Sequence, residues 1–217
     1  MRFEIDALLV DMDGTLIDST ASVLRSWTAI AEEFAIPADR FATVPRHGRP
    51  AVEIMRDLLE PALVERAAAR LDELEMADVD GIVPLPGAVE LVSAVPAGAL
   101  AIVTSAGRGL ALARLAAVGL GVSNLVTADD VVRGKPDPEP FLLGAELLGV
   151  KPSRCLVLED AAAGLAAGRA AGAACIAVAT THRADELEAD AVVPDLSALR
   201  VECTKTGLVV EISSAAS

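Results

Sequence analysis

The pattern of apolar and polar positions divides the chain into two kinds of segment. From residue 88 onward, short apolar runs alternate with longer stretches whose apolar residues have helical spacing. The runs are residues 100–103, 125–127, 155–158 and 174–178, and residues 5–10 form a similar one. Uninterrupted apolar runs are typical of parallel strands covered by helices on both faces. We therefore predict an α/β, Rossmann-like core, with a hairpin formed by residues 200–204 and 208–212.

The segment between the first run and residue 84 carries only helical patterns. The predicted helices cover residues 19–34, 52–59 and 63–76. A cluster of glycine and proline at residues 81–87 interrupts the helical pattern and marks a boundary. We predict that residues 1–15 and 85–217 form the α/β core, and that residues 16–84 form a helical cap inserted after the first strand.

Composition and charge narrow the range of partners. The 217 residues are 53% hydrophobic and carry a formal net charge of −14, so no net positive field attracts nucleic acid or an anionic membrane. No apolar run reaches the roughly 18–20 residues that a membrane-spanning helix needs. The first residues do not resemble a signal peptide, and we expect a cytoplasmic protein that is a monomer or a weak dimer. The three cysteines, Cys155, Cys175 and Cys203, are expected to be reduced packing residues.

Chemically useful side chains follow four of the predicted strands. In chain order they are Asp11 and Asp13, Thr104 and Ser105, Lys135, and Glu159 and Asp160. Ligands of parallel sheets bind at the carboxyl ends of the strands, so we expect these residues to converge. Carboxylates brought together repel one another, and a hard divalent cation with oxygen ligands, Mg²⁺, offsets that repulsion. A helix cap or a surface ion pair does not explain why acids directly follow two apolar strands.

The order of these residues resembles the motifs of the haloacid dehalogenase-like hydrolase superfamily. Asp11-Met12-Asp13-Gly14-Thr15-Leu16 resembles its first motif, and Thr104-Ser105 resembles its second. Arg133-Gly134-Lys135-Pro136-Asp137-Pro138 resembles the third, and Glu159-Asp160 the fourth. The resemblance covers essentially the whole chain and is closest to the sugar phosphatase and β-phosphoglucomutase-like subgroup with a small helical cap. It implies a Mg²⁺-dependent phosphatase of small phosphorylated metabolites, most of all sugar or polyol phosphates.

The resemblance also implies a role for each residue. Asp11 is expected to attack phosphorus and form an aspartyl-phosphate, while Asp13 protonates the leaving oxygen and later activates water. Lys135 is expected to offset the charge repulsion between Asp11 and the phosphoryl oxygens. The expected phosphate ligands are Thr104, Ser105 and the backbone N–H of Ala106. The expected Mg²⁺ ligands are Asp11, Asp13 through its carbonyl, and Asp160, with Glu159 a weaker candidate.

Three alternatives to a phosphatase make different demands on the residues of the site. Dehalogenases of this superfamily lack an acid at the position of Asp13, because a halide leaves without a proton. A β-phosphoglucomutase-like enzyme carries a histidine five residues after the acid corresponding to Asp18, and here that position is Val23. A mutase is therefore the second hypothesis. The third is a catalytically inactive binding or regulatory protein, which the retained acids and Lys135 disfavour.

One loop of the predicted cap carries candidate substrate contacts. In Arg46-His47-Gly48-Arg49-Pro50, either His47 or Arg49 is expected to bind the sugar hydroxyls or the phosphate. The alternative is an ordinary helix start with solvated cations. Trp27, the only tryptophan, is expected to pack in the core of the cap, with a place in the substrate pocket as the alternative.

Overall fold

The computed structural model describes residues 1–44 and 51–213 of the chain. The strands are β1 (Arg2–Ile5), β2 (Ala7–Val10), β3 (Ile17–Asp18), β4 (Val83–Pro84), β5 (Leu100–Val103), β6 (Leu125–Val126), β7 (Cys155–Glu159), β8 (Ala174–Val178), β9 (Ala191–Val193), β10 (Leu199–Thr204) and β11 (Gly207–Ile212). The helices are α1 (Thr20–Glu33), α2 (Ala38–Thr43), α3 (Ala51–Leu58), α4 (Pro61–Ala77), α5 (Ala88–Ala94), α6 (Arg108–Ala117), α7 (Glu139–Leu147) and α8 (Ala162–Ala170).

A six-stranded parallel sheet in the order β6-β5-β2-β7-β8-β9 forms the core. Leu8 of β2 aligns with Leu100 of β5 on one side and with Leu156 of β7 on the other. The predicted α/β fold with a parallel sheet is confirmed. The sixth strand, β9, was not predicted, because three residues give too short an apolar run to read as a strand.

Helices cover both faces of this sheet because the strand side chains are apolar on both sides. Leu8 and Val10 belong to one hydrophobic cluster, which also contains residues of α5 and α6. Ala7 and Leu9 belong to a second cluster with residues of α7 and α8. All four of these β2 side chains are fully buried, which explains the absence of polar alternation in the sequence.

The first predicted strand, residues 5–10, is wrong in its extent. The structure has two strands there: β1 ends at Ile5 and β2 begins at Ala7. The polar residue between them, Asp6, forms an ion pair with Arg154 at 2.7 Å, and its N–H donates to the carbonyl of the same arginine. β1 leaves the main sheet and pairs antiparallel with β11, which pairs with β10. The predicted C-terminal hairpin is thus present, within a three-stranded sheet.

Helices α1 to α4, here called the helical layer, have a hydrophobic cluster of their own. It includes Trp27, Ile30, Ile54, Met55 and Leu71, each less than 5% exposed. The two connections between this layer and the core pair as β3 and β4, with Ile17 opposite Pro84. The short helix α2 lies in the segment predicted to be helical, although its bounds were not predicted, and all its residues are exposed or half-buried. The division at residues 16 and 84 stays a prediction.

A membrane-spanning helix requires a long apolar stretch. Among the helices within residues 1–44 and 51–213, none is both long enough and apolar enough to cross a bilayer.

Candidate active site

The carboxyl ends of β2, β5 and β7 are neighbours because these strands are adjacent in the sheet. They open into a cavity of about 250 Å³ between the sheet and the helical layer. Most of the residues predicted from the strand ends line it: Asp11, Asp13, Thr104, Ser105, Ala106 and Asp160. The structure therefore brings together side chains that are up to 149 positions apart in the sequence, as the strand-end argument predicts.

Lys135 lies beneath this cavity, fully buried. Its Nζ donates to Oδ1 of Asp11 at 2.6 Å, to Oε1 of Glu159 at 2.7 Å and to the carbonyl oxygen of Val103 at 3.0 Å. Burial alone would lower the pKa of Lys135, but Asp11 and Glu159 outweigh it and hold that pKa above its ordinary value. Lys135 therefore stays charged, and all three protons of its ammonium group have an acceptor.

Three buried carboxylates meet at the ends of β2 and β7. Oxygen atoms of Asp11, Glu159 and Asp160 lie within 4.8 Å of one another. Burial raises the pKa of Asp11 to about 7 and that of Asp160 to about 7, and it raises the pKa of Glu159 as well. Lys135 supplies one positive charge for three acids. The oxygen-only donor set and the remaining negative charge fit a hard divalent cation.

Glu159 is held more tightly than the other two acids. Its Oε1 accepts from Lys135, and its Oε2 accepts from the backbone N–H of Ala161 at 2.8 Å. A Cβ at Gly164, on α8, would overlap with Oε1 of Glu159, so glycine is what leaves room for the carboxylate. Asp11 and Asp160 line the cavity, whereas Glu159 is not among the described lining residues, so Glu159 is better placed to hold Lys135 than to reach into the cavity.

Asp160 is oriented by hydroxyl groups on two loops. Its Oδ2 accepts from the hydroxyl of Thr181, and its Oδ1 lies 3.4 Å from the hydroxyl of Thr15. Gly14 approaches the same carboxylate with a φ of +85°, a conformation that favours glycine, and a Cβ there would overlap with Oδ2 of Asp160. Thr181 was not among the predicted site residues, although it follows the carboxyl end of β8, where the strand-end argument applies equally.

Asp13 lies beside Asp11 but has different surroundings. Its side chain is 28% exposed, whereas that of Asp11 is 9% exposed. Its Oδ1 accepts from the hydroxyl of Ser19 at 2.6 Å and from Nη1 of Arg114 at 2.9 Å. Ser19 stands at the N-cap position of α1, but its hydroxyl donates to Asp13 and makes no capping hydrogen bond to the helix. Neither contact of Asp13 was predicted.

The loop after β5 forms the opposite wall of the cavity. The N–H of Thr104 continues the sheet pairing to Val126, and the N–H of Ala106 donates to Oγ1 of Thr104 at 3.1 Å. α6 begins two residues later, at Arg108, so its N-terminal end follows directly on this wall. Hydroxyls and N–H groups at a helix start are typical of anion-binding sites.

The helical layer closes the cavity on the side away from the sheet. Trp27 packs in the hydrophobic cluster of the helical layer, as expected, and it also lines the cavity; its contact with substrate stays a prediction. Val23, the position that separates the phosphatase and mutase hypotheses, also lines the cavity. His47 and Arg49 lie outside the described residues, and their contact with substrate stays a prediction.

Comparisons with known proteins identify the family of the chain. A family model for haloacid dehalogenase-like hydrolases matches residues 5–172. Hexitol phosphatase A of Escherichia coli (strain K12) is 38% identical over 192 residues, which cover 84% of this chain and 88% of that protein. Validoxylamine A 7'-phosphate phosphatase of Streptomyces hygroscopicus subsp. limoneus is 36% identical over 208 residues, 88% of this chain and 94% of that protein.

A solved structure extends the agreement to the fold. The crystal structure of a hydrolase from Pseudomonas syringae superposes with a TM-score of 0.80 at 28% identity, covering 88% of this chain and 94% of that one. The family match spans the strand ends that carry Asp11, Lys135 and Asp160. The chain belongs to the haloacid dehalogenase-like hydrolase family.

Proposed function

We propose that the protein is a Mg²⁺-dependent phosphatase that hydrolyses small phosphorylated metabolites, most of all sugar or polyol phosphates, through an aspartyl-phosphate. The observation that carries the proposal is the position of Asp11, whose carboxylate meets Lys135 and Asp160 at the base of a cavity that Asp13 also lines. The two similar phosphatases support the same reaction class.

Asp11 is the proposed nucleophile. Its Oδ1 is held by Lys135, whose charge lowers the pKa of Asp11 and so offsets part of the rise that burial causes. Attack of the other oxygen of Asp11 on phosphorus forms the acyl phosphate and releases the leaving-group oxygen. Lys135 and the groups of the β5 loop offset the negative charge that the phosphoryl oxygens bring into the cavity.

Asp13 is the proposed general acid and base. It is more exposed than Asp11 and faces the same cavity, so it can reach the leaving oxygen while Asp11 holds phosphorus. When Asp13 donates a proton to that oxygen, the leaving group departs as a neutral alcohol and not as an unstable alkoxide. The resulting carboxylate then accepts a proton from the hydrolytic water. One residue thus serves as acid in the first step and as base in the second.

Mg²⁺ would be held by Asp11, Asp160 and the backbone carbonyl of Asp13. The donor chemistry fits, since all the groups are oxygens and the buried acids exceed the positive charge of Lys135. The ion would supply positive charge that binds and polarises the phosphoryl oxygens. We assign Glu159 to the support of Lys135, because its carboxylate holds that lysine and, unlike Asp160, it is not among the described residues that line the cavity.

The cavity lining favours a neutral leaving group. Asp72 and Glu75 of α4 line the cavity, and among its described lining residues Arg114 is the one cation. A second anionic group on the substrate would meet these two acids, whereas hydroxyl groups can both donate and accept hydrogen bonds there. Trp27 and Leu71 add an apolar surface suited to the carbon skeleton of a polyol.

A phosphate-release assay on a panel of sugar, polyol and acidic phosphates tests the proposal. We expect Mg²⁺-dependent release from neutral sugar and polyol phosphates, complete loss with EDTA, and recovery when Mg²⁺ is restored. Asp11→Asn should be inactive, while Asp39→Asn, which changes an exposed acid of α2, should match the wild type. No release from any member of the panel would refute the proposal.

A further inference from the structure

A buried arginine connects Asp13 with the helical layer. Arg114 lies on α6, and its side chain is 4% exposed. Its Nη1 donates to Oδ1 of Asp13 at 2.9 Å, and its Nη2 lies 3.3 Å from Oε2 of Glu75 on α4. Glu75 is also buried, with 9% of its side chain exposed. Glu75, Arg114 and Asp13 thus form a continuous charged network, here called the Arg114 network, from α4 to the end of β2.

Protein stability alone does not explain the Arg114 network. A guanidinium group taken out of water needs most of its N–H groups paired to offset the lost hydration. Here Nε and Nη2 of Arg114 are buried without a hydrogen-bond partner in the described part of the chain. The contact between Nη2 and Glu75 has the distance of an ion pair but lacks hydrogen-bond alignment. Replacement of a buried ion pair by apolar side chains of similar volume often leaves a protein equally or more stable.

The hydrogen bonds of Asp13 indicate a role for the Arg114 network. Both hydrogen bonds of the Asp13 carboxylate, from Ser19 and from Arg114, end on Oδ1. Within residues 1–44 and 51–213, Oδ2 has no hydrogen-bond partner. The carboxylate is therefore fixed on one side and open on the other. This is the arrangement that directs a single oxygen, Oδ2, towards a group in the cavity.

We infer that Arg114 and Glu75 form a positioning pair that holds Asp13 in the orientation needed to protonate the leaving group. The inference rests on the proposed function and adds a residue of α4 to it. The ion pair with Glu75 at the other end of the guanidinium favours the side-chain conformation in which Arg114 reaches Asp13. The orientation of the general acid then depends on α4 being seated over the cavity.

The leaving group offers a way to separate positioning of Asp13 from a general structural role. An alkyl phosphate needs a proton on its departing oxygen, whereas p-nitrophenolate is stable enough to leave without one. A misplaced Asp13 therefore lowers kcat/KM for the alkyl phosphate and leaves that for p-nitrophenyl phosphate nearly unchanged. A distorted cavity or a lost Mg²⁺ site would lower both.

The variants are Glu75→Gln and Arg114→Met, with Glu73→Gln as the matched control. Glu73 is on the same helix, and its side chain is 67% exposed in an ion pair with Arg70. We expect Glu75→Gln and Arg114→Met to lower kcat/KM for the best polyol phosphate at least tenfold and that for p-nitrophenyl phosphate less than threefold. Glu73→Gln should leave both values unchanged. In the Asp13→Asn background, Arg114→Met should cause no further loss with the polyol phosphate.

Each other outcome has a defined meaning. Equal losses on both substrates, or no loss on either, would overturn the positioning role. If Arg114→Met does not fold, Glu75→Gln decides the matter, because it changes one atom of a side chain and leaves its volume intact. A wild-type protein inactive on both substrates would instead refute the proposed function, and the inference would fall with it.

Discussion

Nζ of Lys135 lies 2.7 Å from Oε1 of Glu159, and both side chains are 1% exposed. A buried pair of this kind is costly to break from one side only, because the remaining charge is left without a partner. Asp11 shares the same ammonium group at 2.6 Å, so removal of the lysine would leave two buried carboxylates facing each other.

Replacement of Lys135 by methionine should therefore destabilise the fold as well as abolish phosphate release. We expect the free energy of unfolding at neutral pH to fall by about 3–5 kcal/mol. The loss should be smaller at acidic pH, where the two carboxyl groups are protonated. Urea unfolding measures both, with the exposed Lys151→Met as control. An unchanged free energy of unfolding in Lys135→Met would contradict the role of this ion pair.

The acids at the end of β7 should respond differently to amide substitution. Asp160→Asn should raise the Mg²⁺ concentration for half-maximal activity at least tenfold, since it removes a proposed ligand charge. Glu159→Gln should have a smaller effect on that concentration and a larger one on stability, because its oxygens bond to Lys135 and Ala161. Activity titrations with Mg²⁺ and thermal unfolding test this. An equal increase in the Mg²⁺ concentration for half-maximal activity in both variants would indicate that Glu159 also binds the ion.

Two glycines with similar backbone angles provide a matched comparison. Gly14 has a φ of +85° and Gly81 a φ of +76°. A Cβ at Gly81 has nothing within 4 Å in the described structure, so Gly81→Ala should cost only the left-handed strain, about 1–2 kcal/mol. A Cβ at Gly14 would overlap with Asp160 and lie 2.9 Å from Cγ2 of Thr181.

Gly14→Ala should thus combine a larger loss of stability with a weaker response to Mg²⁺. Gly81→Ala should keep wild-type kcat/KM and Mg²⁺ dependence. Thermal unfolding together with activity at several Mg²⁺ concentrations distinguishes the two effects. Wild-type Mg²⁺ dependence in Gly14→Ala would show that Asp160 can move aside without consequence.

The stability of the protein should depend on the ionisation of Glu75. Burial raises the pKa of Glu75 from 4.5 to about 7; Arg114 lowers it, and Asp13 and Asp72 raise it. An acid with a raised pKa takes up a proton on folding, so stability falls as pH rises from 4.5 to about 7 and is level above that. The change amounts to at most about 3 kcal/mol.

Glu75→Gln is neutral at every pH and should lack this component. The difference in free energy of unfolding between variant and wild type should therefore move in favour of the variant as pH rises through this range. Chemical unfolding at intervals between pH 4 and pH 8 measures it. A difference that stays constant with pH would mean that Glu75 ionises in the folded protein as it does in water.

Much of the site was predictable because its signals are local. Apolar runs identify buried strands, and a parallel sheet places the residues that follow them at one edge. Asp11, Thr104 and Asp160 were found in this way, and Thr181 could have been found by extending the same argument to β8. The family resemblance added the order of the motifs and the roles that the geometry alone leaves open.

Arg114 was not predictable for a physical reason. In the sequence it is a cation in a helix of small and apolar residues, a pattern that usually places the charge in solvent. It is buried because α4 lies over α6, and its partner Asp13 is 101 positions away. The division between β1 and β2 was not predictable for the same reason, a partner distant in sequence: β1 pairs with β11, which begins at Gly207.

The pairing of β3 with β4 has a consequence for how such a molecule can be altered. The chain enters and leaves the helical layer through two segments that hydrogen-bond side by side, so the two covalent connections of the layer to the core lie next to each other. A foreign sequence with the same paired ends could be inserted between Asp18 and Val83 without new boundaries in the sheet. Such an exchange would also replace Ser19 and Glu75, which hold Asp13 directly and through Arg114, so an inserted segment has to supply equivalent partners for that carboxylate.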